Sequence, residues 1–196
     1  MKRILSGILA VIMIFAITGC TIDKSSVSFE EVQQMAEKEI PDISSMLGDN
    51  WDEHNLPESF YFLMVANARY LYKRDTGEEL PTVDVAENEF QVNNGIELDI
   101  LIPAITKYYP FSENMLRNSF EDSLVYDAQT DAAILADGWG WHLDAVVHNV
   151  TDNQDGTYDI SYGLYLAEEH PEYIGVVKAK VHPDGYMQFI SNTVDR

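Results

Sequence analysis

The sequence predicts an α+β fold in which N-terminal helices pack on a C-terminal antiparallel β-meander. Two observations predict it. Residues 28–73 carry apolar side chains at helical spacing behind helix-start signals, whereas residues 139–191 alternate apolar and polar side chains between short turns. Helices first and a meander last place the helices over one face of a single sheet. The domain so defined covers residues 28–196.

Each element has a local cause. Ser28-Phe29-Glu30-Glu31 matches a capping box, in which the Ser28 hydroxyl and the Glu31 carboxylate satisfy each other's backbone N–H. Phe29, Val32, Met35, Ala36 and Ile40 follow at helical spacing, and Pro41 is expected to end this first helix. A further turn is expected before Gly48, and Trp51-Asp52-Glu53-His54-Asn55 reads as loop. Pro57 suits the start of a second helix over residues 58–73. Apolar side chains on most of its faces predict deep burial, and Thr76-Gly77 closes it.

The middle of the chain supports two readings. Phe90 and Val92, then Asn94-Gly95, then Ile96, Leu98 and Ile100 fit a short hairpin; the competing reading is a loop followed by a helix from about Ile96. A helix is expected over residues 103–109, and another after Ser112 through Phe120. An early strand is expected within residues 124–135.

The meander is plainer. Trp139, Trp141, Leu143, Ala145 and Val147 alternate with Gly140, His142, Asp144, Val146 and His148. Asn153-Gln154-Asp155-Gly156 turns the chain into a strand with Tyr158, Ile160, Tyr162, Leu164 and Leu166 on one face. A third strand is expected over Tyr173–Val181, and Pro183-Asp184-Gly185 turns it into a fourth over residues 186–191. This element order resembles cystatin-like and NTF2-like folds, which host many functions.

The N-terminus carries a different signal. Lys2 and Arg3 precede an almost continuous apolar stretch from Ile4 to Ile17, and Thr18-Gly19-Cys20 follows. The stretch is short for a bilayer core of about 30 Å but suits a cleaved signal region. These residues resemble the signal peptide and lipobox of bacterial lipoproteins. The resemblance implies cleavage before Cys20, a lipid thioether on its sulfur, and residence on the outer face of the cell membrane. Residues 1–19 are then the signal peptide and residues 20–27 a lipidated tether. Seven residues behind Cys20 reach at most about 25 Å.

Composition narrows the function classes. Removing 19 of the 196 residues leaves 177, enough for one domain with a sizeable core. Cys20 is the only cysteine, so the domain has no disulfide, no thiol nucleophile and no cysteine-bound metal. Without Lys2 and Arg3 the chain has 10 basic and 33 acidic residues, a formal net of −23. Such a surface repels nucleic acid and anionic lipid. No G-x-S-x-G, S-x-x-K, H-E-x-x-H, G-x-G-x-x-G or Walker motif occurs, so neither a nucleotide nor any other cofactor is expected.

The candidate site residues are few. Trp51 and His54 share a loop, where a tryptophan has no periodic reason to be buried. Tyr108 and Tyr109 lie with Phe111 at a bend around Pro110. His142, Asp144 and His148 fall on one face of a predicted strand, the first two about 7 Å apart, and His182, Lys178 and Lys180 are expected on or beside a neighbouring strand. Trp139 and Trp141 are expected to fill core under the helices. Residues 152–159 resemble a calcium loop, but Thr151 and Tyr162 stand where carboxylates are required, so no metal is expected.

The function expected is a membrane-anchored binding or interaction module for an envelope protein, peptide or glycan. Two alternatives are carried: a hydrolase of cell-envelope or polymeric substrate using the His142–Asp144 pair, and an accessory subunit of an envelope protein complex.

Overall fold

The computed structural model of the protein describes residues 27–57, 60–135, 143–166 and 171–195. Signal peptide, lipobox and Cys20 lie outside the described residues, as do Trp139, Trp141 and His142.

Helix α1 (Phe29–Asp42) begins as its capping box dictates: Ser28 Oγ accepts from the Glu31 N–H at 3.3 Å, and the Glu31 carboxylate accepts from the Ser28 N–H at 2.7 Å. Its Val32, Ala36 and Ile40 are buried. Pro41 sits inside its last turn, one residue before the end. A 3-10 turn (Ser44–Met46) follows. Helix α2 (Phe60–Thr76) stops at Gly77, whose φ of +76° needs no Cβ and whose N–H donates to the Lys73 carbonyl at 2.8 Å.

A small second sheet then interrupts the expected order. It comprises β1 (Val83–Asp84), β2 (Asn94–Glu97), β3 (Tyr126–Asp127) and β4 (Ala132–Ile134), antiparallel in the order β1-β2-β4-β3. Asn94-Gly95 therefore lies inside a strand, not at a hairpin tip. The bend falls instead around Asn88, whose side chain donates to the Ala86 and Val92 carbonyls and accepts from the Phe90 N–H. Gly95 is required by crowding: a Cβ there would stand 2.8 Å from the Ala133 carbonyl oxygen and 2.7 Å from Val85 Cγ1.

Strand β2 runs directly into helix α3 (Leu98–Tyr108), so the competing reading of a helix from about Ile96 is the one observed. Pro103 lies within α3. Helix α4 (Glu113–Glu121) is capped by Ser112, whose hydroxyl accepts from the Met115 N–H.

The C-terminal meander comprises β5 (Asp144–Asp152), β6 (Thr157–Tyr165), β7 (Tyr173–Val181) and β8 (Met187–Asp195), in sequence order. A bulge between Val147 and Asn149 changes which β5 residues face inward, from Ala145 to Val150. Ile160, Tyr162, Leu164, Val177, Ala179, Met187 and Phe189 line the inner face and join the helices in one core. Leu166, expected on that face, lies past the end of β6 and is exposed. The fold is α+β, with two antiparallel four-stranded sheets in place of the single one expected. No helix among the described residues is long and apolar enough to cross a membrane.

Candidate functional site

Three of the aromatic candidates are core residues, which corrects their expected exposure. Trp51 is 2% exposed. Its backbone bridges Asn192 of β8 through two hydrogen bonds, and its indole Nε1–H donates to the Met46 carbonyl at 2.7 Å. Its ring meets Tyr109 edge-on at 5.8 Å and lies 6.1 Å from Phe111. Tyr109 is wholly buried, and burial pushes its hydroxyl far above the ordinary tyrosine range. His54, in the same loop, is exposed along with Asp52, Glu53 and Asn55, and lies beside Glu53 at 3.3 Å. Asp144 is exposed at the start of β5; with His142 outside the described residues, the pair has no described geometry.

Tyr108, also buried, belongs to a network that joins α1, α2 and α3. The Tyr108 hydroxyl donates to Asp75 at 2.5 Å, and Lys107 Nζ reaches the same carboxylate at 2.8 Å. Arg74 binds Glu39 at 2.6 Å, Asp42 at 2.9 Å and Asp75 at 2.9 Å. Lys107 also lies 4.8 Å from the centre of the Tyr108 ring and 5.2 Å from that of Tyr186, on which His182 stacks at 4.5 Å. His182 therefore stands at the far end of β7 from Asp144, contrary to the expected proximity.

The electrostatics of this cluster are those of a clamp. Burial raises Asp75, but hydrogen bonds from Lys107, Tyr108 and Arg74 outweigh it and hold the carboxyl at about 2. Burial, reinforced by Asp75, pushes Tyr108 up to about 12. Glu39 is raised by burial, against the pull of Arg74. Neither Tyr108 nor Asp75 exchanges a proton near neutral pH, where an acid–base catalyst must. No group of three or more histidine, aspartate or glutamate side chains suited to a metal ion occurs among the described residues.

The other side of the meander is different. Among the described residues helices pack on its inner face only, and its outer face carries Val146, Ile174 and Val176 at 48%, 49% and 41% exposure. Register makes them neighbours: Val146 pairs with Gly163, Gly163 with Ile174, and Ser161 with Val176. Gly163 is the floor of this patch. A Cβ there would stand 2.9 Å from both His148 Cε1 and Tyr165 Cε2, two side chains that lean together with His148 Nε2 at 3.1 Å from the Tyr165 hydroxyl. Along β7 the patch gives way to Lys178, paired with Asp159 at 2.7 Å, and then to the exposed Lys180.

The period-two pattern of β7 identifies the strand but not what its second face meets. The signal was present in Tyr173-Ile174-Gly175-Val176-Val177, apolar at both parities. With helices on one face only, half of such a run must meet solvent or a partner.

Comparison with protein-family models, with curated proteins and with solved structures gives no match. The likeness to cystatin-like and NTF2-like folds thus rests on element order alone. What fold and surface together define is an α+β domain with a sealed inner core and a sheet face on which Val146, Ile174 and Val176 stand exposed among polar side chains.

Proposed function

We propose that this chain is a lipid-anchored module on the outer face of the cell membrane that works by protein contact rather than catalysis. The observation that carries the contact reading is the outer sheet face, where Val146, Ile174 and Val176 stand exposed in register around Gly163. Scattered single apolar residues need no explanation, but three in one patch on a flat face favour an interaction surface. The charge-paired network around Arg74 supports the same reading, because its geometry stiffens the helices and leaves no proton to move at neutral pH.

The anchor reading rests on the likeness of residues 1–20 to a lipoprotein signal and lipobox. Cells expressing the full chain should incorporate labelled fatty acid into it, and Cys20→Ala should abolish the label. Equal labelling of the variant would overturn the anchor. An exposed face held near a membrane by a short tether meets partners in a plane, where weak contacts are strengthened by high effective concentration.

A further inference from the structure

We propose that Asp184 is a site of spontaneous isomerisation to isoaspartate, and that the fold confines this chemistry to the turn between β7 and β8.

A backbone nitrogen can attack the side-chain carbonyl carbon of the aspartate or asparagine before it. Glycine, without a Cβ, hinders that attack least. Asn94-Gly95, Asp155-Gly156 and Asp184-Gly185 are such pairs; Asp137-Gly138 lies outside the described residues. The attack needs the side chain to swing onto its own backbone, so local structure decides which pair reacts.

Asn94-Gly95 is held on both sides. Strand β2 stands between β1 and β4, with Asn94 paired to Asp84 and Gly95 to both Val83 and Ile134. The Asn94 carbonyl accepts from the Leu135 N–H at 3.0 Å, and Gly95 is buried. Bringing the Asn94 side chain onto the Gly95 nitrogen requires β2 to leave the small sheet, a cooperative opening.

Asp155-Gly156 lies in an exposed turn, but its carboxylate is occupied. Asp155 Oδ1 accepts from the Thr157 N–H at 2.9 Å and from the Thr157 hydroxyl at 2.6 Å. These bonds tie the side chain to residue 157 and hold its carboxyl below the ordinary aspartate range. Both effects protect it, because the ionised carboxylate is the unreactive form.

Asp184-Gly185 has neither restraint. Pro183, Asp184 and Gly185 are all exposed, and the Asp184 carboxyl makes no hydrogen bond or ion pair among the described residues. The attacking nitrogen is restrained by one backbone bond, from the Gly185 N–H to the His182 carbonyl at 2.9 Å. Breaking that bond is local fraying of an exposed turn.

The step balances with water alone. The Gly185 nitrogen gives up its proton and bonds to Asp184 Cγ. The carboxyl hydroxyl leaves with a proton as water, closing a succinimide ring. Water then adds at the main-chain carbonyl carbon of Asp184 and breaks its bond to the Gly185 nitrogen. The chain now runs through Cβ and Cγ, with no net change in mass. The added main-chain carbon falls between His182 and Tyr186, which are joined by a backbone bond of 2.9 Å and by the ring stack that Lys107 faces. Isomerisation therefore loosens the junction between the meander and α3.

The test keeps the purified full chain warm in detergent at mildly acidic pH, together with an isotopically labelled synthetic peptide of residues 181–187, until that peptide has isomerised. Electron-transfer mass spectrometry of the digested chain tells isoaspartate from aspartate at each position. The expected result is at least about tenfold more isoaspartate at 184 than at 155, with Asn94 intact. Thr157→Val, which removes one of the two bonds holding Asp155, should raise isoaspartate at 155 by about fivefold and leave 184 as it was. Isoaspartate at 155 equal to or above that at 184, deamidation of Asn94 ahead of both, or an intact Asp184 beside the isomerised peptide would each overturn the proposal.

Discussion

Trp51 uses both parts of its indole: the ring packs on Tyr109 and Phe111, and the N–H donates to Met46. Trp51→Phe should keep part of the packing but strand a buried carbonyl, costing about 1–3 kcal/mol in urea unfolding. His54→Ala, three residues away and exposed, should stay within about 0.5 kcal/mol. The burial of Trp51 was not legible locally, because its partner strand β8 lies at the far end of the chain. Asp75 makes a second test. Its folded carboxyl is depressed to about 2 from 3.8, so it stabilises the fold above 3.8, and that contribution is lost as pH falls toward 2. Wild type should lose about 1–2 kcal/mol over this window on account of Asp75, and Asp75→Asn should remove that part of the slope in an acid titration followed by circular dichroism. Glu39, raised by burial, acts in the opposite sense, so ionising it lowers stability.

Glycines in the meander separate two kinds of crowding at the scale of the element. Gly175 faces the core, where a Cβ would meet the Tyr162 hydroxyl and stand 2.8 Å from the Thr193 carbonyl oxygen. That hydroxyl donates within a buried knot, 2.8 Å from the Leu47 carbonyl and 2.7 Å from the Asn192 side chain. Backbone cannot yield there, so Gly175→Ala should cost about 1–3 kcal/mol or more. Gly163 meets only the His148 and Tyr165 rings, which can swing aside on the outer face, so Gly163→Ala should cost clearly less when the two variants are compared by thermal melting. Elements whose causes are local were legible: the Ser28 and Ser112 caps, the Gly77 stop, and the Tyr173–Val181 strand with the bounds expected. Asn94-Gly95 misled because its glycine answers to Val85 and Ala133, residues a local window does not contain. The small sheet was missed for the same reason, since its strands of two to four residues exist only through pairing between distant segments.

The whole molecule is two-faced. Helices seal one side of the meander, a charge clamp around Arg74 ties those helices together, and the other side leaves Val146, Ile174 and Val176 exposed. The sequence made the α+β class legible but pointed its candidate site at aromatics, because large rings stand out in a sequence, whereas an exposed valine matters only beside its neighbours in register. The proposed address at Cys20 and the proposed contact at Val176 belong together, since a tether of seven residues keeps the sheet within reach of other anchored chains. The most direct test replaces Val176 by a benzophenone amino acid in the full chain, in living cells, with the exposed Gln33 of α1 as control. Illumination should give discrete adducts to another protein at position 176 and none at position 33. Absence of any adduct at 176, or equal adducts at both positions, would contradict the account.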